Sequence, residues 1–279
     1  MLRTALQTYH SALHTFASSP SNFQILKSLR SSRVPPPKTL YILDSSFNPP
    51  TLAHLRIAKA ALLSDPIAAP TPRRLLLLLA TQNADKAPKP AAFEQRLVMM
   101  EIFASSLISE TEQEVEGLGI DIGVTNLPYF ADKAKSIEQS GLYPVSTQQV
   151  HLLGYDTLTR LLSTKYYPPT HTLQPLHPFL EKHRLLVTYR ADDDWGTRGE
   201  QDEYLKDIEV GKRDGDGANK EWVSEGRIRM VEGRKEGEEI ISSTRVREAA
   251  KKGEREALER LVTKGVGDWV LVESLYLDD

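Results

Sequence analysis

The segment 41–54, Tyr-Ile-Leu-Asp-Ser-Ser-Phe-Asn-Pro-Pro-Thr-Leu-Ala-His, admits few folds. An apolar run at 41–43 reads as a short strand, the Ser, Asn and Pro residues as a turn, and Thr51 as the cap of a helix. A helix start carries unpaired backbone N–H groups and about half a positive charge, so it attracts anions. Thr51 and His54 stand three residues apart, which puts both side chains on one face of the first turns. A buried strand that feeds such a turn suits a phosphate group, although a capped helix with a surface histidine accounts for this segment equally well on its own.

A second segment tips that balance. Ile241-Ser242-Ser243-Thr244-Arg245-Val246-Arg247 opens another helix, over 243–252. Capping explains one hydroxyl, because Ser and Thr oxygens accept bonds from free helix N–H groups. It does not explain three in a row with Arg247 one turn later, where a guanidinium can grip a phosphate through two parallel bonds. Two anion-ready helix starts in one chain point to a polyphosphate held between them.

Ser46-Phe47-Asn48-Pro49-Pro50-Thr51-x-x-His54 together with Ile241-Ser242-Ser243-Thr244-x-x-Arg247 resembles the nicotinamide mononucleotide adenylyltransferase family. That family belongs to the nucleotidyltransferases with a Gly-x-Phe-x-Pro-x-(His/Thr)-x-x-His signature. The resemblance runs from about 38 to 277, with gaps in the middle. It implies AMP transfer from ATP to NMN, giving NAD and pyrophosphate, with Mg²⁺ carried on the ATP phosphates and no dedicated metal site. His54 and Arg247 are the implied catalytic residues. Ser45, Ser46, Phe47, Thr51, Gly154, Asp156, Ser242, Ser243 and Thr244 join them at the ATP. Gly154 and Asp156 enter as the ribose-contacting Gly-x-Asp. Ser46, Phe47, Lys86, Arg96 and Tyr129 are implied at the NMN, Lys86 and Arg96 at its phosphate. The family's first motif opens with Gly where this chain has Ser45, and glycine allows the backbone to approach a nucleotide closely. Serine at that point either crowds the nucleotide or contributes its hydroxyl. The superfamily also leaves open another phosphorylated acceptor, or a non-catalytic nucleotide-binding or interaction protein.

Strands at 39–43, 74–80, 120–125, 150–153, 184–188 and 227–231 alternate with helices at 51–63, 92–107, 131–139, 156–162 and 243–252. That order predicts an α/β, Rossmann-like doubly wound parallel sheet, with ligands at the carboxyl ends of the strands. Residues 1–37 read as an N-terminal helical extension, in which Leu2, Leu6, Tyr9, Leu13 and Phe16 recur at helical spacing. Residues 38–279 form the nucleotidyltransferase domain. Residues 165–178, with four prolines, Tyr166, Tyr167, His171 and His177, read as a loop over the site with solvent-facing histidines. Tyr166 or Tyr167 could stack on a ring, but packing is the commoner use of such residues. The stretch at about 200–226 reads as a mobile charged insertion, and Asp192, Asp193 and Asp194 as a solvated turn.

A net charge of −3 gives no electrostatic signature of a nucleic-acid partner. No apolar run is long enough to span a membrane. The absence of cysteine excludes disulfides, thiolate metal sites and a cysteine nucleophile. A cytoplasmic or nuclear location is expected. The first 43 residues lack Asp and Glu, which touches a mitochondrial transit composition, but Arg3 alone is basic among the first twenty.

Overall fold

The computed structural model describes residues 2–30, 36–65, 73–82, 91–115, 117–190, 195–233 and 238–277, the side chains of Leu2 and Arg3 excepted. The strands are β1 (Phe23–Leu29), β2 (Thr39–Asp44), β3 (Arg73–Ala80), β4 (Gly119–Thr125), β5 (Gln148–Gly154), β6 (Arg184–Thr188) and β7 (Ile228–Val231). They form one sheet in the order β1-β4-β3-β2-β5-β6-β7. All neighbours are parallel except β1 and β4. The strand sequence reverses direction between β2 and β5, so the ligand crevice of such a sheet falls at their carboxyl ends.

Helices cover both faces: α1 (Leu2–Ser18), α2 (Leu52–Ser64), α3 (Phe93–Thr111), α4 (Phe130–Gln139), α5 (Tyr155–Leu161), α6 (His177–Lys182), α7 (Arg198–Glu209), α8 (Glu221–Ser224), α9 (Ser243–Lys252), α10 (Arg255–Leu261) and α11 (Lys264–Val272). The central strand β3 shows why its run of leucines is uninterrupted. Leu75, Leu77 and Leu79 enter one core with α2, α3 and α9, while Leu76 and Leu78 enter another with Ile137 of α4. A strand buried on both faces needs apolar residues at every position.

The amino ends of the strands are fastened by two buried ion pairs. Asp121 accepts from Arg74 at 2.5 and 2.7 Å and from the Tyr143 hydroxyl at 2.7 Å. Asp65 takes both ends of the Arg184 guanidinium, at 3.0 and 2.8 Å, and the Tyr41 hydroxyl. The carboxyl ends are thereby left as the open edge.

Two segments differ from the sequence reading. Residues 1–37 are not purely helical: α1 docks through Tyr9 and Phe16, and β1 then adds an antiparallel edge strand to the sheet. Its alternation is broken by a register shift between Ile25 and Lys27, which conceals it in the sequence. The charged stretch is folded rather than a loose excursion. Leu205, Ile208 and Trp222 are buried together with Leu173, Leu176 and Phe179, so the insertion and the proline-rich segment share one core. His177 belongs to that core's rim, donating to the Gly217 carbonyl at 2.8 Å and packing edge-on against Trp222. His171 is exposed, at φ +50°. Asp192, Asp193 and Asp194 lie outside the described residues.

Candidate active site

Two cavities open at the carboxyl ends of β2 and β5. The first, about 280 Å³, is lined by Ser45, Thr51, His54, Gly154, Asp156, Ser242 and Ser243 among others. The second, about 400 Å³, is lined by Ser46, Tyr129, Phe130, Lys133, Tyr166 and Tyr167 among others. They meet at a shared wall of Asp44, Ser45, Asp156 and Thr157. The turn after β2 and the turn after β5 therefore face one another across the switch point.

His54 occupies the third position of α2, where a capping box usually carries Glu or Gln. The Thr51 backbone N–H donates to Nδ1 at 3.0 Å, Thr51 Oγ1 lies 2.9 Å from the same nitrogen, and Ser45 Oγ lies 2.9 Å from Nε2. An imidazole nitrogen that accepts carries no proton, so the proton of the neutral ring sits on Nε2. Burial holds the ring's pKa down, at about 4. The Phe47 ring packs beside the imidazole at 5.3 Å.

Helix α9 starts against the same turn. Ser242 caps it by accepting from the Arg245 N–H, Ser243 donates to the Pro49 carbonyl at 2.9 Å, and Thr244 accepts from Arg247. Arg247 also donates to the Asn48 carbonyl at 2.9 Å, and Arg96 reaches the Ser46 carbonyl at 3.5 Å. These two carbonyls flank Phe47, which is fully buried at φ +43°. A bulky residue in that region costs about 1–2 kcal/mol, and the two guanidiniums hold the turn against it. The Tyr276 hydroxyl adds a bond to the Asn48 side chain at 2.9 Å.

The structure places several of the assigned residues away from both cavities. Phe47, Arg96, Thr244 and Arg247 line neither cavity. The Phe47 ring is a core residue, so only its backbone is left for a ligand. Arg96 is buried behind the turn, its Nε bonded to the Ala91 carbonyl, and burial pushes its pKa down. Lys86 lies outside the described residues. Gly154 leaves room for the Asp156 carboxylate: a Cβ there would stand 2.7 Å from Asp156 Oδ1 and the carboxylate would have to shift.

The structure adds residues that sequence reasoning missed. Lys133 is buried, ion-paired with Asp44, and stands over the Phe130 ring. Its place on the inward face of α4, beside Ala134 and Ile137, was the available signal. Arg190 faces Asp156 at 3.5 Å. Thr157, Thr188 and Tyr189 complete the first cavity. The Tyr167 hydroxyl donates to the Leu161 carbonyl, which fixes its ring at the second.

A parallel sheet that delivers two anion-ready helix starts to one switch point defines an α/β nucleotide-binding protein. No family model matches the chain. A Schizosaccharomyces pombe protein, carrying the provisional name of nicotinamide mononucleotide adenylyltransferase, is 31% identical over 258 residues, 92% of each chain. Two solved structures of Plasmodium falciparum nicotinic acid mononucleotide adenylyltransferase, complexed with NaAD and with APC, share the fold. Their TM-scores are 0.52 and 0.51 at 12% identity, over 86% of this chain and 98% of each of theirs. The chain belongs to the nicotinamide mononucleotide adenylyltransferase family.

Proposed function

We propose that the protein transfers AMP from ATP to a pyridine mononucleotide, NMN or its nicotinic acid counterpart, giving the dinucleotide and pyrophosphate. The observation that carries this is the junction of two cavities at Ser45 and Asp156, between two helix starts. ATP occupies the first cavity, with Asp156 at its ribose and Ser242 and Ser243 toward its phosphates. The mononucleotide occupies the second, its ring between Tyr129 and Tyr167 and its phosphate at the junction.

A phosphate oxygen of the mononucleotide attacks the α-phosphorus of ATP. The bond to the β-phosphate breaks and pyrophosphate leaves. No covalent enzyme intermediate is needed, so the protein acts by positioning and charge neutralisation. The α2 start, with Ser45 and His54, faces the transferred phosphate. Arg247 and Arg96 keep the turn in shape and add positive charge behind it.

Mg²⁺ fits as a cation brought in on the phosphates, where it would supply charge neutralisation. The two carboxylates on the shared wall, Asp44 and Asp156, already face Lys133 and Arg190. Such a cation would keep most of its waters and be held chiefly through the phosphates.

The test is to incubate the purified protein with ATP, Mg²⁺ and either mononucleotide, and to quantify dinucleotide and pyrophosphate. Equimolar dinucleotide and pyrophosphate support the reading. ATP binding without product from either mononucleotide overturns it, in favour of another acceptor or a non-catalytic role.

A further inference from the structure

We infer that in this chain the Ser45 hydroxyl is the group that touches the transferred phosphate, with His54 acting behind it as a positioning residue. The inference rests on the proposed placement of ATP and deepens it.

The direction of each hydrogen bond carries the point. A backbone N–H can only donate, so the Thr51 N–H at 3.0 Å makes Nδ1 of His54 an acceptor. The Thr51 hydroxyl, 2.9 Å from the same nitrogen, can donate to it as well. With Nδ1 accepting, the proton of the neutral ring lies on Nε2, and the Ser45 oxygen 2.9 Å away is then the acceptor. Burial keeps the ring neutral, with its pKa lowered to about 4. In that tautomer Ser45 retains its own O–H, and its Oγ has no further hydrogen-bond partner among the described residues besides the imidazole. The side chain lies on the wall common to both cavities, whereas His54 reaches only the first. The free O–H therefore points the relay Thr51–His54–Ser45 toward the place where an oxyanion would sit.

The relay is rigid. Thr51 is buried, the Phe47 ring packs against the imidazole at 5.3 Å, and the Ser45 backbone N–H donates to the Leu78 carbonyl. A hydroxyl whose oxygen accepts a hydrogen bond becomes a better donor, because the two bonds polarise one another. With glycine at this position, as in the motif the chain resembles, Nε2–H would face the nucleotide directly. Serine inserts one donor between them.

The opposite account is that Ser45 merely plugs Nε2–H and must swing aside. The two accounts predict opposite signs. We would compare wild type, Ser45→Ala, Ser45→Gly, His54→Ala and the Ser45→Ala/His54→Ala double variant, each checked for a native thermal unfolding transition. ATP affinity would be read by calorimetry, and kcat and KM by dinucleotide formation. The relay predicts that Ser45→Ala and Ser45→Gly each lower kcat by about 10²–10³, the usual cost of one transition-state donor. His54→Ala should then cost less than about threefold in the Ser45→Ala background, since it acts through the lost hydroxyl. In wild type, the His54 ring should show the Nε2–H tautomer by ¹⁵N NMR, with its proton shifted downfield and returning upfield in Ser45→Ala.

A Ser45→Gly protein with kcat at or above wild type would overturn the relay. So would a full His54→Ala loss in both backgrounds, or an Nδ1–H tautomer in wild type. If wild type makes no dinucleotide, the proposed reaction fails, and ATP affinity decides the relay. A tenfold or greater loss of ATP affinity in Ser45→Ala supports it, and unchanged affinity overturns it.

Discussion

Acidification from pH 7 to pH 5 should destabilise the folded chain through His54 by about 1–2 kcal/mol. The ring is held neutral by burial, with a folded pKa of about 4 against an ordinary value of 6.5. Between those values the unfolded chain binds more protons than the folded one, so stability rises with pH across the window. The contribution is complete above pH 6.5 and is lost as the pH falls toward 4. For these two pKa values the loss between pH 7 and pH 5 comes to about 2 kcal/mol, and solvent in the adjoining cavity reduces it. The source is local: Thr51 N–H occupies Nδ1, so a second proton there would break the cap of α2. Burial also lowers the pKa of His151 and His183, so the wild-type slope contains three histidines. Urea unfolding of wild type and His54→Gln at pH 5, 6 and 7, followed by far-UV circular dichroism, isolates the one of interest. The two proteins should diverge by about 1–2 kcal/mol as pH changes, at equal m-value. Parallel pH curves would refute the reasoning.

Arg247→Lys should lower kcat at least tenfold and stability by about 1 kcal/mol, because an ammonium cannot hold both the Asn48 carbonyl and Thr244 as the planar guanidinium does. Steady-state kinetics beside an unfolding curve checks this, and wild-type kinetics would show that the turn keeps its shape without the clamp. Lys133→Met should cost about 3–5 kcal/mol in a urea titration, since it strands Asp44 in a nearly dry position. Replacing both partners, as Asp44→Asn with Lys133→Met, should recover most of that loss.

Local order along the chain was legible from residues 39 to 162 because apolar runs, turn residues and capping hydroxyls are all near-neighbour signals, whereas α6 at His177–Lys182 was read as part of a loop. The strand at 184–188 and the helix at 243–252 stand where spacing put them, and others are off by a few residues at their ends. The two helix starts at Leu52 and Ser243 were legible for the same reason. Strand β1 was not, because an edge strand with a broken register has little periodicity to read. The folded insertion was hidden too, since its surface is charged and its few buried residues, Leu205, Ile208 and Trp222, acquire meaning only against Leu173 and Leu176.

The sequence by itself determined which residue types stand beside a helix start: serines, Thr51, His54 and an arginine one turn along. Only the tertiary structure decided what each faces. Arg96 and Arg247 lie 151 positions apart in the numbering, yet both turn their guanidiniums onto carbonyls of one strained turn. Lys133 found Asp44 across the sheet, and Ser45 met the imidazole nitrogen that glycine would have left open. A side chain's type sets which bonds it can make, but the partner is chosen by the crossover connections that bring distant strand ends together at the switch point, and those depend on packing both faces of the sheet at once.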